Sequence, residues 1–148
     1  MNPAHLHLMV THLPVLGSLF GLLLLLLALL KGDYDLKRIS FWVFVLAGLA
    51  AIPTYLTGRP ASKLLMKMMP GMSMDAGDQH AEIAVIALTA ACLLGVVSLA
   101  GLLAFRKPKR APTWFTALAL VLALVTTATM TWTASLGGNI RHPEIHSE

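Results

Sequence analysis

Six histidines carry most of the chemical potential of this chain: His5, His7, His12, His80, His142 and His146. Three of them stand in the opening run His5-Leu6-His7-Leu8-Met9-Val10-Thr11-His12-Leu13-Pro14, which leads directly into an apolar segment ending at Leu30. An imidazole at hydrocarbon depth has no water to satisfy it, so rings placed there call for a partner. Neutral imidazole is a standard axial ligand of haem iron. Two of them give a low-spin electron carrier without an open position for oxygen. The chain has no Cys-x-x-Cys-His, so a covalent c-type attachment is excluded and a haem here would be of the b type.

On a helix His5 and His12 project to nearly the same side, ~10 Å apart along the axis, while His7 points elsewhere. His12 is the ring nearest hydrocarbon depth, and His80 stands at the matching level before the third apolar segment. The expected axial pair is therefore His12 with His80. His5, His7 and His142 are held for a second haem or as supporting donors, and Arg59 and Arg141 are candidates to neutralise the propionates. The expectation is one haem b, with room for a second.

A second constellation is Met66, Met68, Met69, Met72 and Met74, followed by His80. Thioethers and imidazoles suit Cu(I), so a copper-binding protein is the alternative reading. The same methionine spacing also serves as the apolar face of a short helix lying on the membrane surface. The acids Asp75, Asp78, Glu82, Glu144 and Glu148 come with no His-Glu-x-x-His and no activated nucleophile, which argues against a zinc hydrolase. No acid or lysine lies at mid-span, which argues against an ion or proton transporter.

The elements that must position these groups are membrane spans. Of 148 residues, 57% are hydrophobic and only 12% charged, the composition of a polytopic membrane protein. Four stretches are long enough to cross ~30 Å of hydrocarbon: roughly 9–30, 39–57, 81–105 and 113–136. The first lacks a basic leader and a small-residue cleavage pattern, so it reads as a retained helix. The expected fold is all-α: a single-domain, up-and-down four-helix bundle over residues 1–148, with a short interfacial helix in the 58–80 loop. Gly17 and Gly21, and Ala87, Ala91 and Gly95, are spaced for close helix contact. Pro14 and Pro53 free the carbonyls of Val10 and Leu49 and should bend their helices. Cys92 has no disulfide partner and reads as a packing residue.

Seven of the eleven basic residues lie in the two short connections: Lys31, Lys37, Arg38, Arg106, Lys107, Lys109 and Arg110. The positive-inside rule makes those connections cytoplasmic and puts both termini, the long loop and all six histidines on the periplasmic side of a bacterial inner membrane. The net charge of +4 is spent on that topology and supports no nucleic-acid partner. The expected partners are the lipid bilayer, respiratory or cytochrome subunits and a quinol, with a homo-oligomer left open.

The segment His7-Leu8-Met9-Val10-Thr11-His12-Leu13-Pro14, Thr57-Gly58, His80, and Leu136-Gly137-Gly138 with Arg141-His142 resemble a bacterial family of small four-helix membrane proteins. That family is known only as a domain of unknown function, and its members commonly open His-Pro-x-x-x-His-Phe-Pro. The resemblance covers most of the chain. It implies a four-helix architecture and, in some members, a haem b role beside respiratory or c-type cytochrome components. By position His12 matches the histidine before the proline, His80 the one opening the third helix, and His142 the element after Gly-Gly. Leu13 in place of Phe and the methionine-rich loop are departures.

Overall fold

The computed structural model describes residues 2–68, 74–106 and 110–141. They form four helices and, among the described residues, no strand: α1 (Pro3–Lys31), α2 (Tyr34–Met68), α3 (Met74–Ala104) and α4 (Thr113–Arg141). Each is long and apolar enough to cross a membrane. Consecutive helices pack side by side, α4 returns to α1, and the diagonal pairs α1/α3 and α2/α4 barely touch. This is the expected up-and-down bundle.

Local chemistry sets the helix ends. Asn2 caps α1 by accepting the Ala4 N–H at 2.9 Å, and Pro3 follows at a position where its missing N–H costs nothing. Gly32 ends α1 in the left-handed conformation, φ 63°, which a side chain would resist. Asp33 then caps α2, accepting from the N–H groups of Asp35 and Leu36.

The interior is graded along the bundle axis. Toward the basic connections it is filled by large side chains: Leu25, Phe41, Phe44, Leu94, Leu102 and Phe115, with Phe105 and Phe115 edge to face at 5.0 Å. There Tyr34 donates to the Phe105 carbonyl at 2.7 Å and Arg38 reaches the Leu102 and Phe105 carbonyls at 3.4 and 3.2 Å, closing the C-terminal end of α3. Toward the termini the core thins to Ala51, Ala87, Ala91 and Met130.

The small residues work as anticipated. Ala87 and Ala91 are buried, Gly17 lies against Ala47, and Gly95 meets the Phe44 carbonyl. At Gly48, α2 and α3 approach so closely that a Cβ would sit 2.8 Å from the Ala91 carbonyl oxygen. Leu13, Phe20, Leu46, Leu49, Val96 and Leu103 stay exposed on the outside, an apolar belt for lipid.

α1 stays helical through Pro14, where the Val10 carbonyl that Pro14 cannot serve accepts the Thr54 hydroxyl of α2 at 3.2 Å. One expectation changes: residues 58–68 are not a separate surface helix but the last turns of the 35-residue α2, which continues through Gly58 and Pro60. Proline removes one backbone bond, and near a helix end water can take the freed carbonyl, so Gly58 and Pro60 do not break α2.

Candidate imidazole site at the histidine end of the bundle

The rotation of α1 decides which histidine reaches the interior. Its buried face runs through Pro14, Ser18, Gly21, Leu25 and Ala28, and His7 lies on the same line, one heptad before Pro14. His5 and His12 share the opposite line with Leu19 and Leu26, and all four are exposed. Five residues of helix turn His12 about 140° away from His7. Among the described residues His12 bonds within its own helix, Nδ1 donating to the Leu8 carbonyl at 2.7 Å.

His7 is half-buried and held by α2. Its Nδ1 lies 3.0 Å from Thr57 Oγ1. The Thr57 hydroxyl proton is already committed, shared between the Pro53 and Thr54 carbonyls at 2.9 Å each, so Thr57 accepts and His7 Nδ1 donates. Gly58 follows directly, and a Cβ there would lie 3.5 Å from His7 Cε1.

His80 repeats the arrangement in the second hairpin. It is half-buried at the head of α3, and its Nδ1 donates to the Thr133 carbonyl of α4 at 3.1 Å. One turn on, a Cβ on Gly137 would lie 3.3 Å from His80 Cε1. Each hairpin therefore seats one imidazole from its first helix on an oxygen and a glycine of its second. Both rings stand at the same end of the bundle, on the diagonal helices α1 and α3. A carbonyl can only accept, and the Thr57 oxygen has no proton to spare. Both rings thus carry hydrogen at Nδ1 and present the Nε2 lone pair, the form in which histidine binds a metal.

The remaining candidates fall around this pair. Arg59, next to Gly58, is exposed at the same end. Arg141 is the last residue of α4 and Met74 the first of α3, with their side chains outside the description, and His142, His146, Met69 and Met72 lie outside the described residues. Met66 and Met68 are exposed on the final turns of α2. Among the described residues no three of His, Cys, Asp and Glu converge, so the imidazole pair stands without a third such donor. Two grooves open on the flanks, about 590 Å³ between Leu22 and the Leu124–Ser135 stretch of α4, and about 320 Å³ between Leu13, Gly17, Val43 and Ala47. Neither is lined by a histidine.

Reading side-chain types could not find Thr133, which acts through its backbone carbonyl. Thr57 was visible only as part of a family-like Thr-Gly pair. Among the curated proteins and the solved structures nothing matches this chain. The family model described as "Predicted membrane protein (DUF2231)" matches residues 3–142, nearly the whole sequence, in agreement with four apolar helices; the chain belongs to that family.

Proposed function

We propose that the protein is a small membrane-embedded b-type cytochrome whose axial ligands are His7 and His80. One observation carries the reading: two imidazoles from diagonal helices stand at the same end of the bundle, each with Nδ1 against an oxygen of the neighbouring helix. Among the described residues no third His, Cys, Asp or Glu joins the pair, and two imidazoles fit axial ligation of a haem better than a zinc site, which wants four ligands. Haem b held this way supplies one-electron transfer and leaves no open position for oxygen. Thr57 and the Thr133 carbonyl hold the Nδ1 protons and so raise the basicity of Nε2. Arg59, exposed at the same bundle end, would meet the propionates, and the core beside the pair is built largely of small side chains.

A redox site at one end of the bundle cannot pass electrons across ~30 Å of hydrocarbon unaided. The protein is then a lateral relay on the periplasmic face of a bacterial inner membrane, between a quinol or a larger membrane complex and a periplasmic acceptor. The test is the visible spectrum of protein purified in mild detergent, before and after dithionite. Sharp reduced α and Soret bands are expected, lost in His7→Ala and in His80→Ala and retained in His12→Ala. Loss in His12→Ala with retention in His7→Ala would refute the pairing. A colourless protein with stoichiometric copper would replace haem by Cu(I), with Met66 and Met68 as added donors.

A further inference from the structure

We infer that Thr57 is a positioning residue that fixes the tautomer of His7, so that its Nε2 lone pair is presented at the bundle interior. The inference rests on the His7–His80 reading above for its purpose, but its physical content is independent of any cofactor.

The destination of one hydroxyl proton decides the His7 tautomer. A threonine inside a helix returns its proton to a carbonyl three or four residues back, and Thr57 does so twice over, to Pro53 and Thr54. What remains on Oγ1 is acceptor capacity, directed at α1. The His7 ring meets it with Nδ1 at 3.0 Å. A neutral imidazole whose Nδ1 faces an acceptor must carry its proton there, since the opposite tautomer would set two lone pairs against each other. Thr54, one turn earlier on α2, does the converse and donates to the Val10 carbonyl of α1. The two hydroxyls therefore fix both the seating of α1 and the orientation of its ring.

His80 provides an internal control, because its acceptor is a backbone oxygen that no substitution at Thr133 removes. The Thr133 hydroxyl is engaged elsewhere, donating to the Thr129 carbonyl. The two halves of the site thus differ: the His80 half is held by backbone alone, whereas the His7 half, with the Thr54 carbonyl also facing its ring, has its 3.0 Å contact with a side chain that can be exchanged.

The experiment is nitrogen NMR of the full chain in detergent micelles, with ¹⁵N-labelled histidine, for wild type, Thr57→Val, Thr57→Ser and Thr133→Val. In wild type His7 is expected to show a protonated Nδ1 and a bare Nε2. Thr57→Val should mix the tautomers, Thr57→Ser should restore the wild-type pattern, and Thr133→Val should leave His80 unchanged. In the same variants haem affinity, followed by titration of the purified protein, should fall roughly 10–100-fold in Thr57→Val and recover in Thr57→Ser. A wild-type His7 protonated at Nε2, or a nitrogen pattern indifferent to Thr57→Val, would overturn the inference. A tautomer change in Thr57→Val with no haem bound by any variant would uphold the role of Thr57 and refute the cytochrome reading.

Discussion

The Thr54 hydroxyl gives a measurable handle on how α1 is locked beside the histidines. Pro14 leaves the Val10 carbonyl without its helical donor, and Thr54 supplies one from α2 at 3.2 Å while sharing its proton with Ala50 at 2.9 Å. Thr54→Val keeps the shape and removes the donor. Ala50 loses little, because the amide of residue 54 still serves it within the helix. Val10 is left orphaned in a low-dielectric interior, where an unmade bond costs about 1–3 kcal/mol. Interhelical bonds measured in membranes average about 0.6 and reach about 1.7 kcal/mol, so a loss of about 1–2 kcal/mol is expected. Pro14→Ala restores an N–H to Val10, and in that background Thr54→Val should cost under about 0.5 kcal/mol. The assay is a double-mutant cycle on unfolding in mixed detergent and dodecyl sulfate, where packing lost with the buried Pro14 ring cancels. Equal costs of Thr54→Val with proline and with alanine at position 14 would show that the hydroxyl does no such service.

Two further substitutions probe the close approaches. At Gly48 a Cβ would press on the Ala91 carbonyl at 2.8 Å and on Gly95 Cα at 3.4 Å, all backbone, so Gly48→Ala should cost about 1–3 kcal/mol in the same unfolding assay and Gly48→Leu should abolish the folded bundle by circular dichroism and gel filtration. At Gly137 the neighbour is a side chain instead: Gly137→Ala asks the His80 ring to shift by tenths of an ångström, whereas Gly137→Leu should displace it and remove the haem spectrum while helix content stays; an unchanged spectrum in Gly137→Leu would detach His80 from the site.

The bundle was legible because length and apolarity alone specify four spans, and because Gly17, Gly21, Ala87, Ala91 and Gly95 mark contact faces whatever the details. The end of α2 was harder. Gly58 and Pro60 are the ordinary punctuation of a turn, yet the helix carries both: Gly58 leaves room for an imidazole from α1, and the bond lost at Pro60 falls near the helix end. The Thr133 contact was beyond side-chain reasoning altogether, since any residue supplies a carbonyl.

The choice between His7 and His12 is the instructive case. Depth favours His12, which stands closer to the hydrocarbon, and leucine periodicity is silent because α1 is apolar on every side. In a membrane, however, the inward face is marked by small residues, since lipid solvates leucine as well as a protein core does. Gly21 is pressed against the Phe44 ring, and counting back by sevens from Ala28 passes Gly21 and Pro14 and arrives at His7; the same count through Leu26 and Leu19 arrives at His12 and then His5. The rotation of the helix was thus written in its glycines rather than in its leucines. Rotation outranks depth for a ligand, because one turn of axial offset can be absorbed by a long helix, whereas a ring aimed about 140° off the bundle axis meets lipid.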